Sequence, residues 1–173
     1  GRWDITTDDY LTMAAHKTAF YSAASPLSIG ALCGGGTNEQ VEALGSFGMD
    51  AGLAFQLQDD LLNLVGDATA QGKDFRSDIT EGKRTMIVTW ALEHLEDDRK
   101  DELVSILSAH ATDAATLARA VELMRAVGAI DAVDSYARGL ASHAKGALDG
   151  IELAGTTRLI LASMADFFVE RAT

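Results

Sequence analysis

Apolar positions recur every three to four residues along almost the whole chain, the period of helices packed on one side. Leu11, Ala14, Ala15, Thr18 and Tyr21 keep this period in a first helix. Thr6 or Thr7 is placed to cap it, with Asp8 and Asp9 in the positive first turn. Pro26 is expected to kink the segment, and Gly34-Gly35-Gly36 to end it. Thr37 and Gln40 form a capping-box pattern that opens a long helix reaching about Val65. Gly45, Gly48 and Gly52 lie inside that helix; each weakens it by up to about 1 kcal/mol relative to alanine, so the expectation is that a neighbouring helix packs closely there. Residues 66–82 read as a glycine-punctuated loop. Helices are predicted at about 83–95, 98–110, 113–127, 129–148 and 155–171, separated by Gly128, Gly150 and Gly155. No strand alternation and no internal repeat is evident, so the chain reads as all-α, a single helical domain over residues 1–173.

Near the end of the long helix the pattern carries chemistry. Residues three and four apart share a helix face, so Gln56, Asp59, Asp60 and Asn63 form a polar stripe flanked by Phe55, Leu57, Leu61, Leu62 and Leu64. Neighbouring carboxylates raise the cost of ionising each other unless a cation lies between them. Mg²⁺ commonly takes one or two carboxylates together with substrate phosphate oxygens. Lys73, Asp78, Lys83 and Arg84 follow on or beside the loop. Cations facing a metal–carboxylate stripe imply a polyanionic ligand.

These residues carry a resemblance. The order FQ-x-x-DD-x-x-N, then GK, D and EGK-x-T, resembles the second aspartate-rich region of the trans-type isoprenyl diphosphate synthases, the family of the farnesyl and geranylgeranyl diphosphate synthases. His16-Lys17-Thr18-Ala19 is similar to that family's Lys-Thr pair, about forty residues ahead of its FQ. The resemblance runs from about Tyr10 to the C-terminal helices and covers the C-terminal half of the family's fold. It implies half of a large helical bundle and a Mg²⁺-dependent condensation of isopentenyl diphosphate with an allylic diphosphate, giving a linear polyprenyl diphosphate. It also implies roles. Asp59 and Asp60 hold metal, with Asn63 a weaker partner where the family usually has a third aspartate, and Asp78 supports the metal–water shell. Lys17, Lys73 and Lys83 neutralise the diphosphate. Thr18 and Gln56 lie beside the developing cation, and with Lys17 they count as catalytic and diphosphate-binding residues. Arg76 stands where the family commonly has glycine in GK-x-x-G-x-D.

Composition narrows the partners. A formal charge of −12, from 14 basic against 26 acidic residues, argues against a nucleic-acid or anionic-membrane partner. No run approaches the roughly 18 uncharged apolar residues of a membrane span. Cys33 is the only cysteine, which excludes an internal disulfide, suits a reducing cytoplasm, and reads as a small buried apolar residue. Beginning at Gly1, the chain reads as a piece of a longer polypeptide.

Competing patterns are weaker. Asp97, Asp98 and Asp101 match DD-x-x-D literally, yet they sit in EDDRKDE at a predicted helix start and read as a solvated turn. His16, His94, His110 and His143 lack metal-ligand spacing. The family's first aspartate-rich motif has no counterpart before Lys17. The chain is therefore expected to form a homo-oligomer or to associate with a chain carrying that motif. The alternative is a non-catalytic or regulatory partner subunit of a complete synthase.

Overall fold

The computed structural model describes residues 2–66, 69 and 75–171. Helices α1 (Thr7–Ala14), α2 (Ser25–Cys33), α3 (Asn38–Val65), α4 (Ser77–Thr80), α5 (Met86–His94), α6 (Asp97–Ser108), α7 (Ala114–Ala126), α8 (Ala129–Ala147) and α9 (Gly155–Glu170) follow in order, with a π-helical stretch at Ala15–Ala24. No strand occurs among the described residues. Packing separates two compact units, one of residues 2–11 and 59–134, the other of Thr12–Gln58 and Ser135–Arg171.

Local signals set the helix starts. Thr6 Oγ1 accepts from the Asp9 amide at 3.1 Å while the Thr6 amide donates to the Asp9 carboxylate at 3.0 Å, so two amides left over at the start of α1 find partners. Thr37 and Gln40 make the same reciprocal pair ahead of α3, at 2.8 and 3.3 Å. Asp113 caps α7 through the Thr116 amide. The later helices begin and end within about three residues of their expected bounds.

Two expectations need correction, the loop at 66–82 and the burial of Cys33. Helical backbone runs without a break from Thr7 to Cys33, since Ala24 and Ser25 keep right-handed helical angles, and Pro26 follows directly on the π-helical stretch in the first turn of α2. The irregularity precedes it, where the Ser25 amide bonds back five residues to the Phe20 carbonyl. The segment 66–82 is not all loop, since Ser77–Thr80 forms a helical turn, and helix begins again only at Met86, after the extended Thr85. Cys33 is exposed rather than buried, because it lies in the last turn of α2, a helix with no fully buried residue.

In the second unit, Gly48 and Gly52 of α3 face the π-helical stretch, and Gly45 faces Ser28 on α2. A Cβ on Gly48 would sit 2.6 Å from Ala24 Cα, and one on Gly52 2.8 Å from Ala19 Cα. The expected close packing is present: two backbones approach to a distance that only glycine permits, with Ala19 and Ala24 buried at the contact. Ala137, Ala141, Ala144 and Leu148 on α8, and Leu161, Ala165 and Val169 on α9, are also buried in this unit. Arg158 ties the α8–α9 connection by donating to the carbonyls of Leu148 and Ile151.

In the first unit, α5 supplies most of the core, with Met86, Ile87, Val88, Ala91 and Leu92 all buried. Leu61 and Leu64 from α3, Leu103 and Leu107 from α6, and Leu123 and Met124 from α7 are buried there too.

Candidate functional site

The carboxylate pair on α3 is asymmetric. Asp59 is exposed, whereas Asp60 is only 8% exposed and accepts a 2.5 Å hydrogen bond from the phenol of Tyr10, itself 4% exposed. Burial, reinforced by the Asp60 charge, raises the Tyr10 pKa far above that of an ordinary phenol, so the hydroxyl stays protonated and donates. A buried carboxylate with a fixed donor keeps its orientation, while its exposed neighbour remains open to solvent and ligands. The sequence offers no signal for Tyr10, which lies fifty positions away on another helix.

One turn further along α3, Asn63 fastens the following loop. Its Oδ1 accepts from the Asp78 amide at 3.1 Å, its Nδ2 donates to Ser77 Oγ at 3.0 Å, and its carbonyl accepts from the Arg76 amide at 2.8 Å. Both ends of the amide thus hold α4 against α3. Arg76 takes a left-handed backbone, φ 58°, a conformation natural to glycine. It keeps this turn while stacking its guanidinium on Phe75.

The anchored loop presents an ion pair. Lys83 Nζ lies 2.7 Å from Asp78 Oδ1 and 3.0 Å from Glu81 Oε2. The Asp78 hydrogen bond raises the Lys83 pKa above the ordinary lysine value, outweighing the opposing effect of burial, so the ammonium is retained. Asp78 is mostly buried, at 14% side-chain exposure, and Lys83 is half-exposed. Lys73 lies outside the described residues.

A separate cluster belongs to the second unit. Thr18 Oγ1 donates to Gln56 Oε1 at 2.9 Å, and Lys17 is exposed beside it. Lys17 and Thr18 sit within the π-helical stretch, whose wider turn is often found at functional sites. The close crossing at Gly48 and Gly52 brings this stretch onto α3.

Among the described residues, no cluster of three or more His, Cys, Asp or Glu side chains is arranged to hold a metal ion. The donor set on α3 is instead two consecutive carboxylates. That suits Mg²⁺, which keeps several waters and completes its shell with substrate phosphates, better than it suits a metal requiring an all-protein cage. Asp97 and Asp98 are exposed in the first turn of α6, and Asp101 is exposed in the next. Three of the four histidines contact backbone or Asp50, His94 the Trp90 carbonyl, His110 that of Thr80 and His143 the Asp50 carboxylate, and His16 is exposed. No helix among the described residues is long and apolar enough to cross a membrane.

A short chain isoprenyl diphosphate synthase of Methanothermobacter thermautotrophicus is 38% identical over 98% of this chain and 51% of its own length. A geranylfarnesyl diphosphate synthase of Natronomonas pharaonis is 39% identical over 99% of this chain and 48% of its own. The chain therefore spans about half the length of these relatives. Among solved structures, geranylgeranyl pyrophosphate synthase from Corynebacterium glutamicum, complexed with isoprenyl diphosphate and magnesium, matches with a TM-score of 0.86 and 33% identity, over 96% of this chain and 47% of that one. The all-α architecture is that of the isoprenoid synthases. Residues 1–124, which include the Lys17-Thr18 pair, the α3 carboxylates and the anchored Asp78–Lys83 loop, match the sequence model of the polyprenyl synthetases, and the chain belongs to that family.

Proposed function

We propose that this chain is the C-terminal half of a Mg²⁺-dependent prenyltransferase that condenses isopentenyl diphosphate with an allylic diphosphate to give a linear polyprenyl diphosphate. The observation that carries this reading is the Asn63 anchor. It ties the loop bearing the Asp78–Lys83 pair to the same helix, and within a turn of the same position, as Asp59 and Asp60. Acidic metal ligands and a fixed ammonium on one framework are what a diphosphate leaving group requires. The magnesium and isoprenyl diphosphate in the Corynebacterium structure support the same ligand class.

In the proposed reaction the C1–O bond of the allylic diphosphate breaks, its electron pair leaving with the diphosphate. The double bond of isopentenyl diphosphate then attacks C1, a new C–C bond forms, and a proton is lost. Mg²⁺, when bound, supplies positive charge to the diphosphate oxygens and lowers the cost of their departure. Asp59 and Asp60 would hold that ion, with Tyr10 fixing the Asp60 carboxylate. Asn63, whose side chain is engaged by Ser77 and Asp78, would act chiefly by positioning the loop. Lys83, with Lys17 and Lys73, would bind diphosphate oxygens, and Asp78 would hold Lys83 and order the water around the ion. Thr18 and Gln56, already hydrogen-bonded to each other, would line the path of the developing cation.

The chain would work as one helical domain carrying the second aspartate-rich motif, in the cytoplasm, with the first motif supplied by further polypeptide. Exposed apolar side chains in the second unit support an oligomer or such an association. Leu159, Ile160, Met164 and Phe167 line one groove on α9, and Phe20 and Ile29 line another; faces of this kind are usually covered. Radiolabelled isopentenyl diphosphate tests the proposal. The chain alone should release no prenyl product, and addition of a polypeptide carrying the first aspartate-rich motif should restore elongation. Elongation by the chain alone would refute the half-site account, and failure of a well-folded reconstituted complex would refute the activity.

A further inference from the structure

The turn that follows α6 grips the loop that carries Asp78 and Lys83. His110 has φ 51°, a left-handed backbone that side chains rarely adopt, and its Nδ1 lies 2.8 Å from the Thr80 carbonyl oxygen. A carbonyl only accepts, so Nδ1 carries the proton. Thr80 Oγ1 returns the contact by donating to the Ala111 carbonyl at 3.2 Å. Between these bonds, Gly82 at φ 63° leaves no room for a side chain, because a Cβ there would stand 2.9 Å from the Leu107 carbonyl oxygen and 3.3 Å from His110 Cε1. Inside the loop, the Gly82 amide donates to Ile79 and the Lys83 amide to Asp78. The turn from Thr80 to Lys83 is thus bounded by its own hydrogen bonds on one side and by residues 107–111 on the other.

We propose that His110 is a positioning residue, which, through Nδ1–H on the Thr80 carbonyl, holds the Gly82 turn so that the Lys83 ammonium and the Asp78 carboxylate meet a diphosphate-bearing ligand in one geometry. The ligand part of this rests on the diphosphate reading above; the clamp itself does not. An exposed histidine with an unfavourable backbone and no ion pair among the described residues contributes little as a surface group. Its contribution is the bond it delivers to a turn that cannot accept a side chain of its own.

Three measurements on the full 173-residue chain test it. Nitrogen NMR of the neutral His110 ring should report the Nδ1–H tautomer, and an Nε2–H ring would overturn the proposal. In His110→Gly, which removes the imidazole and relieves the backbone, the Gly82 and Lys83 amides should exchange roughly five- to tenfold faster, the equivalent of one net hydrogen bond. The amides of Leu103 and Leu107 should not change. Uniform acceleration, or none, would overturn the clamp. His110→Asn tolerates a left-handed backbone and carries its Nδ2 donor near the position of the imidazole Nδ1, so it should restore slow exchange; a variant as fast as His110→Gly would count against the bond. Calorimetry with inorganic pyrophosphate and Mg²⁺ separates the two levels. If Lys83→Ala leaves the affinity unchanged, the diphosphate reading falls and takes the ligand part of the proposal with it. If Lys83→Ala weakens binding and His110→Gly does not, the positioning role falls alone.

Discussion

The phenol of Tyr10 and the carboxylate of Asp60, fifty residues apart, are joined by a 2.5 Å hydrogen bond in a setting where both side chains are buried. Tyr10→Phe removes a donor from a buried charge, so it should destabilise the fold by about 1.5–3 kcal/mol. Its pH dependence has a definite sign. The folded-state pKa of Tyr10 is raised by burial above the ordinary phenol value of about 10, so its stabilisation is complete below that pH and is lost as the pH rises beyond it, where the unfolded chain releases the proton first. Denaturant titrations between neutral pH and pH 11 should show an alkaline loss of stability that is smaller in Tyr10→Phe. Equal curves for both proteins would remove Tyr10 from the account.

Asp59 and Asp60 should differ on substitution. In a full-length or reconstituted enzyme, Asp59→Ala should lower turnover by orders of magnitude with little change in melting temperature, because Asp59 is exposed and its role is in ligand binding. Asp60→Ala should lower both, since it also strands the Tyr10 hydroxyl. Near-normal turnover of Asp59→Ala at saturating Mg²⁺ would contradict the metal assignment.

Lys83→Ala should weaken binding of an allylic diphosphate analogue by roughly ten- to a hundredfold, the worth of a charge-assisted hydrogen bond. The Lys83 pKa is raised by Asp78, so its share of the affinity should stay constant from pH 7 to about pH 10, where an ordinary lysine with a pKa of about 10.4 already begins to lose its proton. An affinity that falls in this window in wild type but not in Lys83→Ala would show that Lys83 is deprotonated too early for the role assigned to it.

The glycines of α3 and α8 make opposite predictions. Gly48→Ala places a methyl group 2.6 Å from Ala24 Cα and should destabilise by about 1–3 kcal/mol through overpacking, disturbing the π-helical stretch that holds Thr18 against Gln56. Gly139→Ala and Gly146→Ala, with nothing among the described residues within 4 Å of the new Cβ, should each stabilise by about 0.5–1 kcal/mol through helix propensity. Chemical denaturation reads all three, and a neutral Gly48→Ala would mean that the crossing is looser than described.

The features legible along the chain lie within a few residues of each signal. Thr6 with Asp9, Thr37 with Gln40, the triple glycine after α2 and the 3.6-residue period require only chain neighbours, whose separation the helix geometry sets. The family motif is legible for the same reason, since Asp59, Asp60 and Asn63 are spaced along one helix. Even the close packing at Gly48 and Gly52 could be expected, because three glycines in a helix make sense when a second backbone needs the space.

How those residues are used depends on the packing of helices distant in the chain. Tyr10 meets Asp60 across fifty positions and Thr18 meets Gln56 across thirty-eight; such pairings depend on which helices cross and at what distance, which periodicity does not encode. Asn63 belongs to the acidic stripe by spacing, yet its amide is engaged by Ser77 and Asp78 because the chain folds back at Arg76 in a left-handed conformation. Cys33 is small and apolar, but it lies exposed in the last turn of α2. Burial and hydrogen-bond partners are properties of the packed chain: a side chain's type limits what it can do, and its neighbours in space select among those uses.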